Sequence, residues 1–278
     1  MSRLQPTFQK LAERSEKALI AYIMAGDPTL EDTETYVQQL AAAGADVIEL
    51  GVPFSDPIAD GPVIQQAAER ALRSGTTLKK ILATVRSLRT KTQVPLVVMA
   101  YYNSIFRYGE AAFCRDAVAA GVDGLIVPDM PPDEAGTIHP LGEAAGLDVI
   151  FLLAPTSTAK RETAVARLSR GFIYYVSLTG ITGAKLTDKA DVEKKVREIR
   201  RYTKTPIAVG FGIATPDDAR EVARIADGVI VGSALVKIIA DGVIVGSALV
   251  KLVTEGGASV TDRLTSFTRS LKAATQPS

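Results

Sequence analysis

The sequence predicts an α/β fold, a single (β/α)8 barrel, from three observations. Short, near-continuous apolar runs recur along the chain, as parallel strands covered on both faces require. Amphipathic stretches with a helical period lie between them. One phrase marks the junction of helix and strand three times: Ala43-Gly44-Ala45-Asp46-Val47-Ile48, Ala120-Gly121-Val122-Asp123-Gly124-Leu125-Ile126 and Ala145-Gly146-Leu147-Asp148-Val149-Ile150. Each reads as a helix ending at a glycine and running into a buried strand. Eight such units fit the 278 residues as one domain, residues 1–278, with an open doubly wound sheet as the alternative.

Taken in order, an extra N-terminal helix precedes a first strand over Ala18 to Met24. Tyr36, Val37, Leu40 and Ala41 keep helical spacing, and the VIEL that follows, residues 47–50, is too short and too apolar for anything but a strand. Gly61-Pro62 opens the helix PVIQQAAERAL, and Leu78, Ile81, Leu82, Val85 and Leu88 mark a second helix. Further strands are read at Pro95 to Ala100, Leu125 to Val127, Val149 to Leu153, Phe172 to Val176 and Ile207 to Val209. A helix starts at Thr215-Pro216-Asp217-Asp218, and GVIV near residue 228 supplies the eighth strand.

Composition narrows the function classes. With 47% apolar and 23% charged residues, disordered, collagen-like and disulfide-stapled classes are excluded. Lys and Arg number 32 against 31 Asp and Glu, a net charge of +1 with no basic stripe, so nucleic acid is not an expected partner. A single Cys114 and a single His139 cannot build a disulfide framework or a Cys/His zinc cluster. The N-terminus lacks an uninterrupted apolar core, and no run approaches the roughly 20 residues of a membrane span. These features predict a soluble cytoplasmic protein, or one of the plastid stroma were the source a plant.

In a parallel barrel the C-terminal strand ends and the loops beyond them form the reactive face. Glu49 sits near the end of VIEL, where alternation turns Val47 and Glu49 inward and Ile48 and Leu50 toward the helices. A carboxylate inside an apolar barrel is costly unless used or paired, so Glu49 is either a structural ion pair or a general acid/base with a raised pKa. Asp60 and Asp56 lie in the loop GVPFSDPIADGP, where turn and helix-cap chemistry is the alternative and is preferred for Asp56. Tyr174 is singled out because its strand precedes a Gly-rich loop; Tyr175 faces the other way. Glycines after three late strands, Gly180 and Gly183, Gly210 and Gly212, and Gly232-Ser233 or its duplicate Gly246-Ser247, suggest a phosphate cradle. The SALVK after the last glycine adds a helix N-terminus that favours an anion.

Through IAYIMAGDPT, DVIELGVPFSDPIADGPVIQQA, TGITGA, VGFGI and GVIVGSALVK the chain resembles the tryptophan synthase α subunit family over nearly its whole length. The resemblance implies a retro-aldol lyase that cleaves indole-3-glycerol phosphate to indole and glyceraldehyde 3-phosphate, without metal or organic cofactor. It implies that Glu49 is the general acid/base, that Asp60 holds the indole N–H, and that Tyr174 stands beside the glutamate. It further implies that Tyr22, Tyr101, Asp129 and Thr182 line the indole pocket or brace its loops. Phe211 belongs with the substrate-binding residues, and Gly183, Gly212, Gly232 and Ser233 with the phosphate. Pro53, Asp56 and residues 183–190 match elements that couple closure to a pyridoxal-phosphate β subunit, in an αββα complex.

One departure stands out. Residues 225–238 read IADGVIVGSALVKI and residues 239–252 read IADGVIVGSALVKL, a tandem copy around the eighth strand. A closed eight-stranded barrel has no place for a ninth strand of fixed shear, so one copy is surplus. The first copy is the better candidate for the strand, because the helix upstream then feeds it at normal spacing. Two other readings are a catalytically impaired barrel that only binds and activates the β subunit, and a different phosphate-binding barrel, against which the ADGP loop and the lack of a lysine at a matched strand end speak.

Overall fold

The computed structural model describes residues 2–177, 189–210, 212–244 and 259–277. Among the described residues nine parallel strands form a barrel: β1 (Ala18–Met24), β2 (Val47–Gly51), β3 (Leu96–Met99), β4 (Gly124–Ile126), β5 (Asp148–Ile150), β6 (Leu152–Leu153), β7 (Ile173–Val176), β8 (Ile207–Gly210) and β9 (Gly228–Val231). Their order is β5-β4-β3-β2-β1-β9-β8-β7-β6. The two ends of that order flank Phe151 alone, so the fifth strand of the sequence reading is one strand interrupted at a single residue, and the ring closes through it. The doubly wound alternative is thereby excluded.

After α1 (Leu4–Glu13), helices cover the outside: α2 (Leu30–Ala42), α3 (Pro62–Arg73), α4 (Leu78–Leu88), α5 (Tyr102–Tyr108), α6 (Glu110–Ala120), α7 (Ile138–Ala145), α8 (Ala159–Leu168), α9 (Lys189–Ile199), α10 (Pro216–Ala223), α11 (Ser233–Ile244) and α12 (Val260–Ala274). Local chemistry sets their ends. Thr29, Thr77, Thr158 and Thr215 cap four of them through side-chain oxygens, the last in a reciprocal box with Asp218. At the other ends Gly121 and Gly146 take left-handed φ values of 98° and 83°, conformations that any Cβ would strain.

Period-2 alternation divides the buried residues into two populations. Ile48, Leu50, Val98, Tyr175 and Val209 face outward into the core beneath the helices. Ala18, Ile20, Val47, Val97, Ile126, Ile150, Phe172, Tyr174, Ala208 and Ile230 fill the barrel, where Leu4, Phe8 and Leu11 of α1 join them. The extra N-terminal helix therefore plugs the mouth at the strand N-termini, with Phe8 against Phe172 at a centroid distance of 5.8 Å. Asp123 fastens that plug. Its Oδ1 accepts from the Arg3 backbone and guanidinium, each at 2.9 Å, and its Oδ2 from Arg89 at 2.6 Å and the Leu96 amide at 2.9 Å. The mouth at the strand C-termini is not covered by this plug.

The first copy of the repeat fills the barrel. Gly228–Val231 pairs with β1 through Ala18↔Gly228 to Ala21↔Val231, and with β8 through Ala208↔Gly228 to Gly210↔Ile230. Residues 239–244, which open the second copy, continue α11 instead. The remainder of that copy, with Gly246 and Ser247, lies outside the described residues.

Candidate active site

Glu49 rises from the floor of the open mouth. It lies on β2 in register with Tyr22 of β1 and Val97 of β3, and it is 1% exposed. Neither carboxylate oxygen has a hydrogen-bond partner among the described residues. The structural ion pair that the sequence allowed is therefore not formed there. Burial, and secondarily the charge of Asp60, push the Glu49 carboxyl up to about 8, so it carries a proton at neutral pH.

Two phenols flank it. The Tyr22 ring lies across Gly51, where a Cβ would stand 2.2 Å from the Tyr22 hydroxyl oxygen. The Tyr174 ring lies across Gly210, where a Cβ would stand 2.7 Å from its hydroxyl oxygen. Glycine ends both strands because each must let a neighbouring tyrosine cross the mouth. Burial raises both phenols, which stay protonated at neutral pH.

Asp60 comes from the loop between β2 and α3. Tyr101, at the end of β3, donates its hydroxyl hydrogen to Asp60 Oδ2 at 3.2 Å and accepts the Ala59 amide at 2.9 Å. Phe54 from the same loop stacks on Tyr101 at 5.0 Å between centroids. Burial raises Asp60 to about 6 against the lowering effect of the Tyr101 hydrogen bond, which leaves it ionised at neutral pH. It is not a helix cap: Gly61 holds that position for α3, with Pro62 in the first turn. Asp56, in contrast, is exposed and accepts the Ser55 hydroxyl at 2.6 Å, the local turn chemistry expected of it. Asp129 Oδ1 accepts the Tyr102 amide at 2.9 Å and so fixes the start of α5 beside Tyr101.

On the other side of β1 from β2, Gly232 precedes α11 and its carbonyl accepts the amides of Leu235 at 2.9 Å and Val236 at 3.1 Å. The amides of Ser233 and Ala234 belong to the first helical turn, which has no intrahelical acceptors, and they carry the positive end of the helix dipole. Gly212, beyond β8, is exposed and takes a φ of 77°. Thr182, Gly183 and Phe211 lie outside the described residues.

The sequence reading missed the parts that hold the others: Phe54, the Ala59 amide, and Gly51. The signal for the last was available, since a glycine closes VIELG where a strand residue with a side chain would be ordinary. Among the described residues no group of three or more His, Cys, Asp or Glu could hold a metal ion. No helix there is long and apolar enough to cross a membrane.

A family model described as tryptophan synthase alpha chain matches residues 8–241. The tryptophan synthase alpha chain of Geotalea daltonii is 56% identical over 237 residues, covering 85% of this chain and 90% of that protein. That of Geotalea uraniireducens is 50% identical over 273 residues, covering 98% and 97%. Among solved structures, tryptophan synthase of Mycobacterium tuberculosis is similar with a TM-score of 0.88 at 38% identity, covering 100% of this chain and 99% of that one. Tryptophan synthase subunit alpha of Legionella pneumophila is similar with a TM-score of 0.87 at 37% identity, covering 99% and 98%.

Proposed function

The chain belongs to the tryptophan synthase alpha chain family, and from that premise we propose how its residues divide the work of the reaction. It is the lyase subunit that cleaves indole-3-glycerol phosphate in tryptophan biosynthesis, and its partner is a tryptophan synthase β subunit. The family's reaction needs a proton at indole C3, because the ring is a poor leaving group until it is protonated there, and a negative group near the indole nitrogen as positive charge develops.

Glu49 delivers the proton. Neutral at pH 7, it protonates C3 and becomes a carboxylate; the indole ring becomes an indoleninium whose N–H is held by ionised Asp60. The Glu49 carboxylate then takes the proton of the carbinol hydroxyl. The bond between C3 and the carbinol carbon breaks, its electron pair returns to the ring as indole, and the carbinol becomes the aldehyde of glyceraldehyde 3-phosphate. Glu49 ends as it began. Tyr174 stands beside it as a neutral donor, Tyr101 holds Asp60 and its loop, Asp129 holds the start of α5 beside Tyr101, and Tyr22 lines the mouth. The amides of Gly232 and Ser233, with Gly212, receive the phosphate; Thr182, Gly183 and Phe211 complete the substrate site.

One observation carries this reading: a fully buried carboxyl with no hydrogen-bond partner among the described residues faces a mouth whose second carboxylate is held by a tyrosine just beyond the adjacent strand. The test is indole release from indole-3-glycerol phosphate by the purified chain and by Glu49→Gln. The expected loss is at least about 100-fold; a Glu49→Gln variant that kept wild-type turnover would overturn it. The partner complex is αββα in the cytoplasm, and titration with a β subunit is expected to raise the turnover rate. An unchanged rate would remove the coupling.

A further inference from the structure

The strand order fixes how a substrate must lie across the mouth. β1 stands between β2, which carries Glu49, and β9, which runs into Gly232. Given the lyase reading, on which this inference rests, the reacting carbon lies at Glu49 and the phosphate at the start of α11. The three-carbon chain joining them must then cross the end of β1. The side chain there is Tyr22, and it spans that gap. A Cβ on Gly232 would lie 3.5 Å from its Cδ1 and 3.6 Å from its Cβ, while its hydroxyl reaches Gly51 on the far side. The indole has the other direction, toward β3, where Asp60 and Tyr101 are bonded.

We propose that Tyr22 is a specificity-determining residue of the polyol chain, its hydroxyl donating a hydrogen bond to a hydroxyl oxygen of the glycerol phosphate moiety while its ring sets the span between acid and phosphate loop. The phenol lies in the field of Asp60 and Glu49, so its hydroxyl stands at the acid end of that span. The ring packs in a small cluster with Met24, Ile64 and Val236, so β1, α3 and α11 hold the ruler in place.

Tyr22→Phe keeps the ring and removes only the hydroxyl. The readout is binding by calorimetry of three probes: glyceraldehyde 3-phosphate, indole, and 3-(indol-3-yl)propyl phosphate, which has ring and phosphate but neither linker hydroxyl. The expected result is a roughly 3- to 10-fold loss for glyceraldehyde 3-phosphate, the range of one neutral hydrogen bond. The other two probes and the unfolding midpoint should stay unchanged, and KM for indole-3-glycerol phosphate should rise more than kcat falls. Equal loss for the hydroxyl-free phosphate, a loss confined to indole, or no loss at all would each overturn the assignment. These binding arms do not depend on turnover, so their failure is separable from that of the lyase reading, which Glu49→Gln tests.

Discussion

Replacing Glu49 by Gln should stabilise the fold while it abolishes turnover, and the pH dependence of that gain follows from the burial of the carboxyl. In the unfolded chain the group titrates near 4.5, and in the folded barrel at about 8. Below 4.5 both states hold the proton, and the group makes no difference between them. As pH rises from there the unfolded chain releases the proton and the folded chain does not, so ionisation favours unfolding increasingly until the folded group also titrates. At about 1.4 kcal/mol per pH unit, the interval from 4.5 to about 8 amounts to about 5 kcal/mol above pH 8, and to about 3 kcal/mol at pH 7. Gln has nearly the shape of the protonated acid and nothing to ionise. Urea unfolding of wild type and Glu49→Gln at a series of pH values from 5 to 9 measures the difference. Near pH 4.5 the two should converge; above pH 8 the variant should be more stable by several kcal/mol. A difference that does not vary with pH, or a wild type more stable than the variant at pH 8.5, would refute the idea that the barrel holds Glu49 against its preferred charge. Such a cost is the expected companion of a poised acid.

The same two carboxyls predict a bell-shaped dependence of kcat/KM, since Asp60 must be ionised and Glu49 protonated: activity should fall below about 6 and above about 8, and Asp60→Asn should remove the acid limb from whatever activity remains. Gly51→Ala places a methyl 2.2 Å from the Tyr22 hydroxyl oxygen and 2.7 Å from Cζ, so the ring must leave its place. Steady-state kinetics should show at least about a tenfold loss in kcat/KM, with about 1–3 kcal/mol lost in unfolding experiments; wild-type kinetics would mean that Tyr22 is off the substrate path. Deleting residues 239–252 removes the surplus copy and leaves β9 intact, so the melting temperature should rise while lyase activity is kept. An unchanged melting temperature would show that the surplus costs the fold nothing.

Most of the barrel is legible in the sequence because its determinants are local. A buried parallel strand needs a short apolar run, and the inward or outward direction of each residue follows from alternation, as Glu49 and Tyr174 on one face and Ile48 and Tyr175 on the other illustrate. Caps such as Thr215 with Asp218 bond within three residues of themselves. The candidacy of Glu49 was readable for the same reason, since an acid in an otherwise apolar strand conflicts with its surroundings at the level of sequence.

What the tertiary structure decided involves groups that meet only when the ring closes. Asp60 is held by Tyr101, 41 residues away, and the cap position of α3 falls to Gly61. The lack of a partner for Glu49, the crossing of Tyr22 over Gly51, and the plugging of one mouth by α1 are likewise facts of assembly. The repeat makes the division plain. Gly-Val-Ile is strand at residues 228–230 and helix at residues 242–244, with the same neighbours on both sides. Local propensity is identical in the two copies and cannot choose between them. A closed barrel offers one gap, between β1 and β8, and the copy that α10 delivers to it becomes the strand, while residues 239–244, which open the next copy with no edge left to pair, go on as helix.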